Sequence, residues 1–312
     1  MNENNRIQRV HLIVNPHSGY GGNHIKLRQL REAAARAEID VVEYTTRCAG
    51  DATRYAREQL PPHTQAVLVW GGDGTVNEVI NGVSGRDIPV LPCPIGTENL
   101  LAKELHIPSG PNQIVRVLQA GQVVESDVGV INGRNFMLIV GIGFDGEVVR
   151  RLSATRTGHI SHLSYFWPIW RTFWEHNFPR LRIVADGEEI INDYGLAFVG
   201  NTSRYSVGLR ICRDAEYDDG LLDLVVFHCR QRTSLVLHAA WTLLRLHPLK
   251  GDVTYRKFRK AVIETDSSVS CQVDGDPGPK TPLNVSVASE RVHLMVPPPN
   301  WRNHWPWSGR PQ

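Results

Sequence analysis

The 312-residue chain lacks any run approaching the ~18 consecutive apolar residues that a membrane span requires. Residues 1–10 are polar and contain no apolar core, so no secretory signal is expected there. Cysteine is sparse. Cys48, Cys93, Cys212, Cys229 and Cys271 are scattered, odd in number and form no C-x-x-C pair, which argues against a disulfide framework and a zinc site and favours a reducing, cytoplasmic setting. A charge excess is also missing. A formal net charge of +2 is too small to argue for a nucleic-acid partner or for strong overall attraction to anionic lipid. There is no internal repeat and no low-complexity tract. What remains, 41% hydrophobic and 21% charged residues, suits a globular protein long enough for two domains.

The first part alternates strands and helices. Strands are predicted over 10–14 (VHLIV), 40–44, 66–70 (AVLVW) and 89–92. Helices are predicted over 24–37, 51–59 with Asp51 as N-cap, from 75 to 82, and over 99–105. Such alternation implies a doubly wound parallel sheet, with ligands beyond the carboxyl ends of its strands. After about residue 125 the pattern changes to short runs at 127–131, 135–140, 181–185, 196–199, 221–227 and 260–264. Asn132-Gly133, Asp186-Gly187, Asp219-Gly220 and Asp274-Gly275 supply turns that tolerate positive φ. This half reads as an antiparallel β domain with helices near 161–176 and 233–246. The expected division is 1–126 for an α/β nucleotide-binding domain, with 291–312 returning to complete it, and 127–290 for a β-rich lipid domain.

The segment Gly71-Gly72-Asp73-Gly74-Thr75-Val76-Asn77-Glu78 follows a strand and opens a helix. Adjacent glycines let main-chain N–H groups approach a phosphate, and the helix N-terminus adds partial positive charge at the same place. Asp73 can hold magnesium directly or through water, while Thr75 and Asn77 can donate to phosphate or ribose oxygens. The turn is neither a Walker A loop, since G-K-[ST] is absent, nor a G-x-G-x-x-G fingerprint. Two other small-residue loops fall on the same sheet edge, at 15–19 (NPHSG) and 94–99 (PIGTEN). Each alone is an ordinary turn; together they favour one nucleotide site.

These blocks, in this order, resemble the catalytic family of diacylglycerol kinases, which includes sphingosine kinases and bacterial lipid kinases. The matching segments are NPHSG at 15–19, GGDGTVNEVINGV at 71–83, PIGTENLLAKEL at 94–105, VGIGFDGEVV at 140–149, DDGLLDLVVF at 218–227 and QVDGDP at 272–277. The resemblance implies an N-terminal α/β nucleotide-binding domain, a C-terminal antiparallel β-sandwich-like lipid domain, and ATP in the cleft between them. By matched position the nucleotide contacts Asn15, Pro16, Ser18, Gly19, Thr46, Gly71, Gly72, Asp73, Gly74, Thr75, Asn77 and Thr97. The general base falls at Asp276, where the family usually has Glu, and Asp73 positions metal or nucleotide. A structural magnesium falls beside Glu216, Asp219 and Leu221, held partly through main-chain carbonyls. The family's G-T-x-N-D reads G-T-E-N-L here, placing Leu100 where an acid is usual and Glu98 two positions earlier. Asp186-Gly187-Glu188 imitates the base motif but reads as a hairpin turn.

The function implied is ATP-dependent, magnesium-assisted phosphorylation of a lipid hydroxyl of diacylglycerol or sphingoid type. The protein would make peripheral contact at the inner membrane surface and need no nucleic acid. A homodimer is compatible with the sequence and not required by it. Two other readings stand beside this one: a soluble small-molecule kinase of NAD-kinase type, and a catalytically silent lipid- or nucleotide-binding protein. The aromatic run 165–174 packs a core or else lines an acyl channel or meets the membrane interface; Trp301, Trp305 and Trp307 share that ambiguity.

Overall fold

Near-continuous apolar stretches, buried on both faces, build the central parallel strands of the first sheet, as strands covered by helices require. The chain runs through β1 (Arg9–Val14), α1 (Asn23–Arg36), β2 (Asp40–Thr45), α2 (Asp51–Glu58), β3 (Val67–Gly71), α3 (Asp73–Val83), β4 (Val90–Pro94), α4 (Leu100–Glu104), α5 (Pro111–Ala120) and β5 (Gln122–Ser126). A computed structural model describes residues 6–19, 23–154, 166–249 and 251–302. By internal contacts the chain divides into two units, Met1–Ser126 with Glu290–Gln312, and Asp127–Ser289. In the first unit β1 lies between β2 and β3, and β4 follows β3, all in parallel. Val10, Val67, Val69 and Val90 are fully buried along these strands.

The second unit contains β6 (Gly129–Ile131), β7 (Arg134–Phe136), β8 (Ile139–Ile142), α6 (Phe144–Ala154), α7 (Phe166–Glu175), β9 (Arg180–Ala185), β10 (Glu188–Gly200), β11 (Leu222–His228), α8 (Arg232–Leu243), β12 (Val253–Phe258), β13 (Lys260–Thr265), β14 (Ser270–Val273), β15 (Asp276–Lys280) and β16 (Leu283–Val287). Its strands pair antiparallel in the order β15-β14-β8-β10-β9-β13-β16-β6-β7, with β11 joining β10 to β12. The inward side chains, among them Phe136, Val140, Leu181, Leu224, Phe258 and Leu283, form one core. The chain then re-enters the first unit. β17 (Val292–Val296) runs parallel to β4 and antiparallel to β5, giving the six-stranded order β2-β1-β3-β4-β17-β5, and α9 (Pro299–Arg302) follows.

Several local expectations change. Asp51 is not the N-cap of α2. Gly50, at φ 80°, holds that position, and the Asp51 carboxylate instead accepts from the Arg47 N–H at 2.9 Å and the Tyr44 hydroxyl at 3.0 Å. The cap comes from α3, where Glu78 accepts from the N–H groups of Gly50 and Ala52 at 2.9 and 3.2 Å. The run 135–140 is broken into β7 and β8, because the Asp274 carboxylate takes the N–H groups of Met137, Leu138 and Ile139. Asp186-Gly187 does form the hairpin turn between β9 and β10, both residues having positive φ.

The tryptophans of the aromatic helix are not core. Trp167, Trp170 and Trp174 are exposed on α7, while residues 161–165 of the expected helix, and Trp305 and Trp307, lie outside the described residues.

Candidate functional site

Three loops leave the carboxyl ends of β1, β3 and β4, and their own side chains knit them together. The Asn15 amide donates to Thr75 Oγ1 at 2.9 Å, and its oxygen accepts the His17 N–H at 3.0 Å. Ser18 Oγ accepts the Gly72 N–H at 3.2 Å. Asn23 reaches the carbonyls of Ser18 and Ile95 at 3.0 and 3.3 Å. Asn99, in the left-handed region at φ 51°, closes the third loop by accepting from Gly96 N–H at 2.7 Å and donating back to its carbonyl. Pro16 and Thr97 are exposed on these turns. Thr46 ends β2 at the same edge and is buried, its hydroxyl donating to the Val14 carbonyl at 3.3 Å.

The glycines divide by the reason for their presence. A Cβ on Gly19, at φ 80°, would meet Asn23 Nδ2 at 2.0 Å and the Ile95 carbonyl at 2.1 Å. One on Gly96 would meet Gly72 Cα at 2.7 Å, so two loops touch backbone to backbone there. Gly71 leaves room for Thr75. Gly74 differs: it is exposed, its φ is not positive, and an added Cβ would meet nothing within 4 Å. The fold itself asks for no glycine in that first turn of α3, where glycine costs roughly 1 kcal/mol relative to alanine. The helix begins at Gly72 in an extended conformation, and this glycine N-cap brings no side chain of its own to the first amides. First-turn N–H groups beside an unshielded glycine are of the kind that can seat an anion.

Asp73 does not face that seat with a free carboxylate. Its Oδ1 accepts the Leu101 N–H at 3.2 Å, tying the turn to the start of α4. Burial raises its carboxyl above the ordinary range, against the opposing pull of the Leu100 and Leu101 amides and of Lys103. Asn77 receives the Asn81 amide at its Oδ1 at 2.9 Å. The later part of the long block serves packing. Gly82 lets α3 press on α2, since a Cβ there would sit 2.5 Å from Ala56 Cβ.

In the second unit the turn Asp274-Gly275 delivers Asp276 to the first position of β15. Gln272 braces the turn, accepting the Gly275 N–H at 2.7 Å and donating to the Ile139 carbonyl at 3.2 Å. Asp276 itself is exposed, with Arg134 Nη2 3.6 Å from Oδ2. Asp274, read from the sequence only as a turn residue, and Gln272, given no role there, hold the turn that carries Asp276.

Asp145 was also unassigned. It lies in the first turn of α6 under Gly141, accepts a hydrogen bond from the Tyr205 hydroxyl, and buries its Oδ2. Burial pushes its carboxyl up to about 6, against the Tyr205 hydrogen bond. As pH rises from 4 to 6, the unfolded chain releases this proton while the native state holds it, so native stability falls by about 3 kcal/mol across that window. Asp145→Asn removes that loss. The difference in melting temperature between variant and wild type should grow in the variant's favour from pH 4 to 7; a constant difference would refute the buried charge.

Glu216, Asp219 and Leu221 lie in the segment that leads into β11. Glu216 is exposed. Asp219 gives one oxygen to the Leu221 N–H at 3.0 Å and the other to the Lys257 ammonium at 2.5 Å. Lys257 also lies 3.4 Å from Asp223, whose carboxyl burial pushes up to about 6. The lysine already balances these acids. Among the described residues no group of three or more His, Cys, Asp or Glu side chains could hold a metal.

Comparison with known proteins agrees over both units. Residues 9–131 match the diacylglycerol kinase catalytic domain, and residues 138–296 match the YegS C-terminal NAD kinase beta sandwich-like domain. The chain is 29% identical over 301 residues to a diacylglycerol kinase of Mycobacterium tuberculosis, covering 93% of this chain and 96% of that one. It is 25% identical over 299 residues to a diacylglycerol kinase of Bacillus subtilis, covering 93% and 97%. A crystal structure of a diacylglycerol kinase from Bacillus anthracis superposes with a TM-score of 0.71 at 25% identity, covering 93% of this chain and 97% of that one. With one family domain in each unit and full-length relatives, the chain belongs to the diacylglycerol kinase family and is a lipid kinase.

Proposed function

We propose that the chain transfers the γ-phosphate of ATP to the free hydroxyl of a diacylglycerol-type lipid, visiting a membrane surface to reach it. The open first turn of α3 supports this most directly. Its first-turn amides and unshielded Gly74 suit a nucleotide phosphate, and Ser18, Asn15 and Thr75 hold the turn in place. The relatives' names supply the acceptor class. In this reading residues 15–19, Thr46, 71–77 and Thr97 surround the nucleotide, and Asp73 fixes the turn through α4.

The chemistry is an in-line displacement. The lipid oxygen bonds to the γ-phosphorus, the bond to the β,γ-bridging oxygen breaks, ADP leaves, and the Asp276 carboxylate takes the hydroxyl proton. Magnesium enters with ATP, and a structural magnesium would be held beside Glu216, Asp219 and Leu221, partly through main-chain carbonyls.

The test is incubation with γ-labelled ATP and diacylglycerol in detergent micelles, followed by organic extraction. Label should move into the organic phase as phosphorylated lipid. Label incorporated only into water-soluble product would instead favour a soluble acceptor and sink the lipid assignment.

A further inference from the structure

Two helices of the second unit are built inside out. α7 buries Pro168 and Thr172 and exposes Trp167, Trp170 and Trp174, which are 66%, 48% and 55% accessible and fall at i, i+3 and i+7 on one face. α8 buries His238 and Thr242 and exposes Leu237, Leu243 and the adjoining Leu244, at 59%, 70% and 64%. A surface helix ordinarily turns its apolar stripe to the core. Here the inward side carries polar atoms left without partners, Thr172 Oγ1 and His238 Nδ1.

The two faces are joined. Arg232, at the start of α8, donates to the Phe173 and Trp174 carbonyls at 2.9 and 2.6 Å and stacks over the Trp174 ring. Beside this junction lies a groove of about 460 Å³ lined by His176, Tyr194, Arg230 and Arg232 among others. The helices carry more basic than acidic side chains, while Arg230 of the groove is paired with Asp193. No acidic residue occurs between Asp223 and Asp252, and Glu175, the one carboxylate on either helix, is paired with Arg151 and Arg171.

We propose that α7 and α8 form a docking face for a bilayer containing anionic lipid, an inference that rests on the lipid-kinase reading for its biological purpose. Tryptophan and leucine on short helices, flanked by arginine, are what a headgroup–acyl boundary accepts. Neither helix is long enough to cross the membrane, so they lie in its surface. A second copy of the chain fits less well, because twofold pairing of this face would bring Arg232 of each copy toward the other.

The experiment is co-sedimentation of the full chain with phosphatidylcholine vesicles, with and without phosphatidylglycerol, beside the micelle kinase assay. The wild type should bind the anionic vesicles, more weakly the neutral ones. The double substitution Leu243→Glu with Leu244→Glu, and separately Trp167→Ala with Trp170→Ala, should each lower anionic-vesicle binding at least tenfold while micelle activity stays within twofold. All four side chains are exposed, so folding should persist. Unchanged vesicle binding in both variants would overturn the docking face, as would a dimer that these variants split without altering vesicle binding. Failure of the wild type to phosphorylate micellar lipid would overturn the kinase reading alone, and vesicle binding would still decide the docking face.

Discussion

Asp276→Asn should lower lipid phosphorylation by roughly 100- to 10,000-fold, the usual contribution of a positioned general base. The substitution keeps the shape of the side chain and removes its ability to take the hydroxyl proton. Little else should change. Asp276 is exposed and its ion partner Arg134 lies at 3.6 Å, a type of pair worth at most about 1 kcal/mol. Arg134 has a second hold in the Pro277 carbonyl at 2.9 Å, so the turn should survive. The melting temperature should therefore move by no more than a degree or two, and nucleotide binding by titration calorimetry should match the wild type. Asp276→Glu should restore much of the rate if reach alone matters. Turnover at the wild-type level in Asp276→Asn would remove this residue from the role.

A second large effect is expected from Gly74, and Gly96 is its control. Gly74→Ala adds a methyl group that touches no protein atom and improves helix propensity by roughly 1 kcal/mol, so thermal stability should hold or rise. If a phosphate sits on the open first turn of α3, that methyl group stands between it and the amides, and ATP affinity should fall at least tenfold. Gly96→Ala forces a Cβ to within 2.7 Å of Gly72 Cα, so it should lose stability and binding together, by roughly 1–3 kcal/mol in stability. Measuring melting temperature and ATP affinity on both variants separates a glycine kept for a ligand from one kept for the fold. Wild-type ATP affinity in Gly74→Ala would place the nucleotide elsewhere.

Much of the architecture was readable because local signals and burial agree. The run VHLIV is buried on both faces of a parallel sheet, so composition alone marks it, and β1 extends it by one residue. The turn Asp186-Gly187 was separable from a catalytic D-G-E because strand-forming residues flank it on both sides. Other elements were read short or missed for identifiable reasons, β10 being expected only over 196–199. β10 runs from Glu188 to Gly200 through Asn192 and Asp193, residues of low strand propensity; pairing with β9 at one end and with β8 and β11 at the other carries it. α5 was overlooked although Pro111 at its first turn and Gly121 after its end are helix punctuation.

Within the site, spacing identified the three loops, and it could not say which residues serve which purpose. Glu78 and Gly82 belong to the same block as Gly74, yet one caps α2 and the other admits it. Asp73 reads as a ligand and is found holding α4. The helical period over 233–246 was legible as well. The orientation was not, because periodicity reports that a helix has two faces and leaves open which one meets water.

The position of β17 has a consequence for how the chain matures. Among the described residues β5 pairs with no strand but β17, which comes from residues 292–296. During synthesis every residue of the second unit emerges before that strand does. The first unit to begin is therefore the last to be finished, and a fragment ending at residue 126 would carry an unfilled slot between β4 and β5.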